Sequence, residues 1–374
     1  DSEDGRLTTP ELIRKYGYNV EIHSIETPDG YILEAHRLCG KSGTNSNSSK
    51  PPVLLMHGLI ASSADWVLLG PDKGLAYLLD QEYDVWLGNV RGNRYSRKHK
   101  TISPKLEAFW NFSWHDIAVN DLPAIIDYIL TKTKREKLNY IGHSQGTTIF
   151  FVLTSTRPEY NEKIQLMQAL APVAYMSNMQ SPLLKLVSTI MNTIDVIVHL
   201  IGIGEFLPNQ SFLAKAAEKL CPASANLNIC MNVIFQLSGS NPEQTDPALI
   251  PILLGHTPAG AATKQVLHYG QLYKSGKFCN YDYGKISNLY KYGTVDPPVY
   301  NLTEISAPII LYNGANDYLS NSKDVEKLVQ QISSIRESTT IEDKLFNHLD
   351  FLLAKDVKRL LYDKILTNLG KYNS

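Results

Sequence analysis

The stretch that decides the fold is Gly142-His143-Ser144-Gln145-Gly146, a Gly-x-Ser-x-Gly pentapeptide. The four residues before it, Leu138-Asn139-Tyr140-Ile141, are typical of the end of a short buried strand. Residues 147–155 carry an apolar run that is typical of a helix. Where a strand turns this sharply into a helix, only glycines fit beside the exposed serine. The pentapeptide also arises by chance, so its strand–turn–helix context is what predicts that Ser144 is a nucleophile.

A serine hydroxyl becomes a nucleophile when a histidine takes its proton and an acid holds that histidine in the correct tautomer. After a strand–turn–helix elbow, the acid and then the histidine follow the serine along the chain. The chain has 10 histidines, and only His348 follows His268. His348 precedes an apolar, helix-like stretch, which suits a base presented from a loop at the top of a sheet. We therefore predict that His348 is the base.

The acid has to lie between Ser144 and His348, at the end of a strand. Residues 307–312 (APIILY) form an apolar strand pattern, and Asp317 stands in the loop that follows it. Asp296 lies in a proline-rich turn, where a structural role is the simpler interpretation. Asp343 and Asp350 are too close to His348 in sequence to come from a different strand. Asp317 is therefore the predicted acid.

The third requirement is a pair of N–H donors for the oxyanion that forms when an ester carbonyl is attacked. One donor is the residue after the nucleophile, Gln145, and the other lies in the loop after an earlier strand. Residues 52–56 (PVLLM) predict that strand, and His57-Gly58-Leu59 follows it. Leu59 is therefore the predicted second donor. His57 precedes the serine in the chain, so we expect it to brace this loop by a hydrogen bond.

The composition fits an enzyme that acts on a neutral substrate. The 374 residues are 43% hydrophobic and carry a formal net charge of −1, which gives no field that attracts nucleic acid. We expect recognition through apolar contacts, and we expect neither a cofactor nor a metal site, because the histidine and cysteine spacings match no metal-ligand pattern. Long uncharged apolar runs are absent from the sequence, so no transmembrane segment is expected. The residues Asp1-Ser2-Glu3-Asp4 resemble a mature end left after signal-peptide cleavage.

Sequons and cysteines favour the secretory pathway. Asn-x-Ser/Thr sequons predict glycosylation at Asn47, Asn111, Asn209 and Asn301. Asn111 lies between two tryptophans, so its accessibility stays open at this point. The 4 cysteines allow three pairings. Cys39 and Cys279 can either pair or remain buried thiols.

The patterns along the chain divide it into a core and an insertion. Residues 19–38 predict a hairpin that turns at Pro28-Asp29-Gly30. Strand and helix patterns alternate over residues 51–173, which predicts a mostly parallel sheet flanked by helices. The closing strand and helices follow residue 303, with an amphipathic helix over 324–332. We therefore expect a first core part over 1–173, an insertion over 174–302, and a second core part over 303–374.

The insertion is long enough to cover the serine, and part of it is amphipathic. Apolar residues recur there at spacings of three and four, which predicts a helix: Leu184, Val187, Met191, Ile194, Val198 and Ile201. This stripe can pack inside the insertion or against the core. The alternative is that it lines a tunnel for an acyl chain or contacts a lipid surface.

These stretches together resemble the acid lipase family of animals, which includes gastric lipase and lysosomal acid lipase. The resemblance rests on the Gly142–Gly146 pentapeptide and on five further stretches from near the first residue to near the last: 20–38, 57–66, 84–96, 313–317 and 347–351. It implies an α/β-hydrolase fold, with Ser144, Asp317 and His348 as the triad and with Leu59 and Gln145 as oxyanion donors. It further implies a helical cap with a lid at about 208–238, a Cys221–Cys230 disulfide, activity at acid pH, and a secreted or lysosomal location.

The predicted activity is hydrolysis of neutral lipid esters, such as triacylglycerols or sterol esters, through an acyl-enzyme on Ser144. A movable lid would reconcile an apolar slot with water by opening during transient contact with a lipid interface. Two alternatives remain open: a lipid carrier built on a lipase scaffold, and an acyltransferase that passes the acyl group to an alcohol. Neither the ester class nor the oligomeric state follows from the sequence.

Overall fold

The fold is organised around one twisted sheet. A computed structural model describes residues 3–44, 49–182, 184–186, 188–189, 204–206 and 227–374. Within these residues the central sheet has nine strands, and a two-stranded sheet lies apart from it. The strands are β1 (Tyr18–Glu26), β2 (Tyr31–Lys41), β3 (Pro52–Met56), β4 (Asp84–Leu87), β5 (Lys98–His99), β6 (Leu138–His143), β7 (Ile164–Leu170), β8 (Glu205–Phe206), β9 (Ala261–Ala262), β10 (Ile309–Asn313) and β11 (Ile335–Thr340).

The strand order is β1-β2-β4-β3-β6-β7-β10-β11, with β5 paired to β2. The first two strands form the predicted antiparallel hairpin, which then pairs antiparallel with β4. From β4 to β11 every neighbouring pair is parallel, so the predicted mostly parallel sheet is confirmed. Parallel strands are covered on both faces, which explains why every residue of β3 and β6 is buried.

Helices cover both faces of the sheet. They are α1 (Thr9–Lys15), α2 (Leu75–Asp80), α3 (Trp114–Asp116), α4 (Leu122–Thr133), α5 (Gln145–Thr156), α6 (Leu227–Ser238), α7 (Leu249–His256), α8 (Thr263–Ser275), α9 (Lys285–Tyr292), α10 (Ser322–Gln331), α11 (Asp350–Leu353) and α12 (Asp363–Asn373). The predicted helix over 324–332 is α10. It begins two residues earlier because the Asn321 side chain accepts the Lys323 N–H and caps it.

The alternation along β3 separates two apolar layers. Leu54 and Met56 face a layer that includes residues of α4 and α5. Val53 and Leu55 face a second layer that includes residues of α2 and α12. Because successive strand side chains point to opposite faces, an uninterrupted apolar strand such as PVLLM fits a sheet that is buried on both sides.

A buried arginine fastens the hairpin to this sheet. Arg91 is 1% exposed, and its guanidinium bonds to Asp29 in the hairpin turn and to Asp121 before α4, with N···O distances of 2.7–2.8 Å. It also stacks 3.8 Å from the ring centroid of Tyr31. The Asp121 side chain is fully buried, so its removal would cost up to about 3–5 kcal/mol because the buried Arg91 charge loses a partner.

The insertion enters the fold between two neighbouring strands, β7 and β10. Its described part includes helices α6 to α9 and the β8–β9 pair. Most of the predicted apolar stripe, including Val187, Met191 and Ile194, lies outside the described residues. In the part of the chain that the structure describes, no helix is both long and apolar enough to cross a membrane.

The structure shows the pairing state of two of the four cysteines. Cys39 and Cys279 are free thiols, so the open question of their pairing is answered. Cys39 lies on β2, and Cys279 is buried. Cys221 lies outside the described residues, so the Cys221–Cys230 disulfide stays a prediction.

Candidate active site

Ser144 occupies a sharp turn between β6 and α5. Its φ is 53° and its ψ is −116°, a left-handed backbone that a non-glycine residue rarely adopts. A Cβ on Gly146 would lie 2.2 Å from the main-chain oxygen of Met56, and one on Gly142 would lie 2.6 Å from the oxygen of Gly146. Both glycines are therefore required by close backbone approach, and the predicted strand–turn–helix elbow is confirmed.

The structure brings Ser144, His348 and Asp317 together. His348 Nε2 lies 2.8 Å from Ser144 Oγ, and His348 Nδ1 lies 2.9 and 3.0 Å from the two carboxylate oxygens of Asp317. A carboxylate can only accept, so Nδ1 carries the proton and the Nε2 lone pair faces the serine hydroxyl. This is the tautomer that a general base needs.

The acid is fixed by its own loop after β10. Asp317 is 2% exposed, and its Oδ1 accepts the main-chain N–H groups of Leu319 and Ser320 at 2.9 Å. The candidates set aside from the sequence lie elsewhere. Asp296 is exposed in its turn, whereas Asp343 and Asp350 both accept from the side chain of Asn241.

The two predicted oxyanion donors flank the serine. Leu59 follows β3, and a Cβ on the preceding Gly58 would lie 3.2 Å from Ser144 Cβ, so this loop runs directly against the elbow. Gln145 is the first residue of α5, where an N–H has no partner within the helix. Neither main-chain N–H donates to another described residue. The Gln145 side chain accepts from Gln265 of α8 at 3.1 Å, a contact that no sequence pattern indicates.

His57 braces the loop after β3, as predicted. Its Nδ1–H donates to the carbonyl of Gly58 at 2.8 Å, and its Nε2 accepts the N–H of Val90 at 3.2 Å. Burial lowers the pKa of His57 to about 4 because a charged imidazolium would lose its hydration. The ring therefore stays neutral and keeps both bonds.

His143, inside the pentapeptide, has a role that the sequence did not reveal. Its Nε2–H donates to the carbonyl oxygen of His348 at 2.9 Å, which links the elbow to the base. Burial, and next the nearby His348, lower the pKa of His143 to about 3. A neutral ring here adds no positive charge beside the base.

Two of the four predicted glycosylation sites lie among the described residues. Asn111 is exposed, which answers the question of its accessibility, and Asn301 is exposed as well. Asn47 and Asn209 lie outside the described residues.

The described residues contain no cluster of three or more histidine, cysteine or acidic side chains that could hold a metal ion.

Comparison with known families identifies the same fold. The description "alpha/beta hydrolase fold" matches residues 51–354, and "partial alpha/beta-hydrolase lipase region" matches residues 9–70. A thermophilic esterase structure from Thermogutta terrifontis superimposes with a TM-score of 0.50 at 14% identity, covering 95% of this chain and 100% of that one. The fold therefore defines an α/β hydrolase.

Full-length relatives narrow the class further. "Lipase 1" of Drosophila melanogaster is 43% identical over 99% of this chain and 81% of its own length. The gastric triacylglycerol lipase of Rattus norvegicus is 36% identical over 98% of this chain and 93% of its own length. The chain belongs to this animal lipase family of α/β hydrolases, and it is a carboxylic ester hydrolase.

Proposed function

We propose that this lipase cleaves neutral lipid esters, such as triacylglycerols or sterol esters, through a covalent acyl-enzyme on Ser144. The observation that carries the proposal is the continuous line of hydrogen bonds from Asp317 through His348 to Ser144. Asp317 and His348 are 31 positions apart in the chain, and His348 and Ser144 are 204 positions apart. Their hydrogen bonds nevertheless form one line, with the donors and acceptors in the order that serine activation requires.

In the acylation half, Ser144 Oγ attacks the ester carbonyl carbon while its proton moves to His348 Nε2. The carbonyl electron pair moves onto the oxygen, which the N–H groups of Leu59 and Gln145 stabilise. The tetrahedral intermediate collapses, the bond to the alcohol oxygen breaks, and His348 returns the proton to the leaving alcohol. Asp317 stays ionised and stabilises the imidazolium.

In the deacylation half, His348 takes a proton from water as the water oxygen attacks the acyl carbon. The same two N–H groups stabilise the second oxyanion. Its collapse breaks the bond to Ser144, and the proton on His348 returns to the serine oxygen. The fatty acid then leaves, and the free Ser144 hydroxyl is restored.

An apolar cleft beside Leu59 supports a lipid substrate. Together with Leu59, the described residues that line it all come from the insertion: Met179, Leu184, Ser188, Val266, Tyr269 and Gly270. The side chains of Met179, Val266 and Tyr269 are buried. The cleft adjoins Leu59, whose N–H is the proposed second oxyanion donor.

We further propose that residues 1–173 and 303–374 form the catalytic core and that residues 174–302 form a cap. Within this cap, about 208–238 act as a lid that opens during transient contact with a lipid interface. A Cys221–Cys230 disulfide, glycans on the four sequons, and a secreted or lysosomal location complete the proposal. The exposure of Asn111 and Asn301 supports the glycans.

The experiment that tests the catalytic proposal is replacement of the nucleophile. Ser144→Ala should lower kcat on a soluble ester by about 10⁴-fold or more while the melting temperature stays close to that of the wild type. A fluorophosphonate should label wild-type Ser144, located by peptide mass spectrometry, and should not label the variant. Activity retained in Ser144→Ala would refute the assignment.

The same preparation separates the two alternatives. A lipid carrier would bind esters without releasing fatty acid. An acyltransferase would yield mainly the new ester when a competing alcohol is added. We expect free fatty acid as the main product in both assays.

A further inference from the structure

A short segment at the end of α6 contacts both loops that carry the acid and the base. We call this segment, residues 238–241, the tether. The carbonyl of Ser238 accepts two main-chain N–H groups, from Tyr318 at 3.4 Å and from His348 at 3.2 Å. Tyr318 directly follows Asp317 in the chain. One carbonyl of the insertion therefore accepts a hydrogen bond from the acid loop and another from the base itself.

The next two carbonyls of the tether bind the residues just before the acid and the base. The carbonyl of Gly239 accepts from the Asn347 side chain at 2.9 Å, and that of Ser240 accepts from the Asn316 side chain at 2.8 Å. Asn316 and Asn347 directly precede Asp317 and His348. The base loop is thus held at Asn347 and His348, and the acid loop is held at Asn316 and Tyr318, the residues on either side of Asp317.

The tether packs closely against the acid and base loops. Gly239 has a φ of +104°, which disfavours any other residue. A Cβ at this position would lie 2.1 Å from the main-chain oxygen of Asn316 and 3.1 Å from the Cβ of Asn347. The backbone of the tether therefore rests directly against both loops.

Asn241 completes the contact with its side chain. Its amide nitrogen donates to Asp343 and to Asp350, each at 2.8 Å. The same Oδ2 of Asp350 also accepts the main-chain N–H of Asn347 at 2.9 Å. Asn241 is 1% exposed, so these bonds form away from water, where an unpaired polar group is costly.

We propose that the tether is a positioning element for the acid–base pair and that Asn241 is its central positioning residue, acting through Asp350 and Asn347 on His348. This inference rests on the proposed roles of Ser144, Asp317 and His348. Because the tether continues α6 directly, a displacement of α6 shifts the acid loop and the base loop together. The insertion is thereby part of the catalytic geometry as well as of the substrate cleft.

The test compares two buried asparagines of the insertion. Asn241→Leu removes the amide between the two carboxylates. Asn288→Leu is the matched control, because Asn288 is also 1% exposed and its amide nitrogen also bonds to a carboxylate, that of Asp282, at 2.8 Å. Asn288 lies in α9, and its side chain bonds to Tyr283, Asp282 and Val295, away from the triad.

We expect Asn241→Leu to lower kcat on a soluble short-chain ester by about 10- to 100-fold, the scale set by misplacing a catalytic group by about 1 Å. KM should change by less than about twofold, and fluorophosphonate labelling of Ser144 should slow by the same factor as kcat. Asn288→Leu should lose comparable thermal stability with kcat within about twofold of the wild type. Both are assayed well below their melting temperatures.

A folded Asn241→Leu that loses stability but keeps the wild-type kcat and labelling rate overturns the proposal. If Asn241→Leu does not fold, Asn316→Ala decides, since it removes only the bond to the Ser240 carbonyl. We expect a reduced kcat at unchanged KM in that variant, and an unchanged kcat overturns the proposal. Failure of the catalytic assignment is distinguishable, because wild-type Ser144 would then not be labelled at all.

Discussion

The nucleophile and its acid–base partners are held in different ways. Ser144 is fixed by its own turn, through a left-handed backbone and two glycines that permit close approach. Asp317 and His348 lie in loops that are hydrogen-bonded to the tether. The bonded residues are 76 positions apart in sequence for the acid loop and 108 positions apart for the base loop. The geometry of the nucleophile thus depends on its turn and on the neighbouring core strands β3 and β7, whereas that of the acid–base pair depends on the insertion.

The largest expected loss of activity comes from replacing the acid of the acid–base pair. Asp317→Asn should lower kcat on a soluble ester by about 10⁴-fold, because an amide can donate to Nδ1 and favour the wrong imidazole tautomer. Asp296→Asn is the control, since Asp296 is another acid in a turn before His348 and it is exposed. Steady-state kinetics of both variants decide between the two carboxylates. A large loss in Asp296→Asn with full activity in Asp317→Asn would reverse the assignment.

Breaking the elbow should act first on stability. Gly146→Ala places a Cβ 2.2 Å from the Met56 carbonyl oxygen, so we expect a loss of about 1–3 kcal/mol in the free energy of unfolding, as in other overpacked cores. Urea denaturation measures it. Gly370→Ala in α12, where a Cβ meets nothing within 4 Å, should be neutral or slightly stabilising. Equal effects at the two positions would show that the elbow is not constrained by backbone contact.

The smallest expected effect on activity comes from His143, whose side chain joins the elbow to the base loop. Its folded pKa is about 3, below the ordinary value of 6.5, so the unfolded chain binds a proton that the folded chain does not. Its contribution to stability is therefore full above pH 6.5 and is lost as the pH falls toward 3. Removing this group should reduce the pH slope of the unfolding free energy between pH 6 and 4 by about 1.4 kcal/mol per pH unit.

Urea denaturation of His143→Asn over this pH range measures that slope. His268→Asn is the matched control, because burial lowers the pKa of His268 to about 3 as well. Both variants should flatten the slope alike, but only His143→Asn should also lower kcat, since it alone contacts His348. Slopes parallel to the wild type in both variants would contradict the buried, neutral histidines.

Local signals explain why much of the fold could be predicted from the sequence. The Pro28-Asp29-Gly30 turn, the glycines of the elbow and the strand before Asp317 each leave a mark within a few residues. The domain limits are a proposal, and the lid prediction at 208–238 meets the described residues only at its end, where residues 227–238 form α6.

The support of the site was not predictable in the same way. Asn241, Gln265 and His143 act on residues 109, 120 and 205 positions away. A buried asparagine or glutamine looks like any other in a sequence, and its partner is set by how the insertion folds back onto the core. Such contacts depend on tertiary packing, which neither hydrophobic periodicity nor turn chemistry encodes.

The arginine that joins the hairpin to the sheet bears on how small a working fragment can be. The residues matched as an alpha/beta hydrolase fold begin at 51, after both Asp29 and Tyr31. A chain trimmed to that boundary would keep Arg91 in the interior but lose one of its two carboxylates and the ring it stacks on. We therefore expect a chain trimmed at residue 51 to be less stable than the full chain, although the proposed nucleophile, acid and base all lie beyond that boundary.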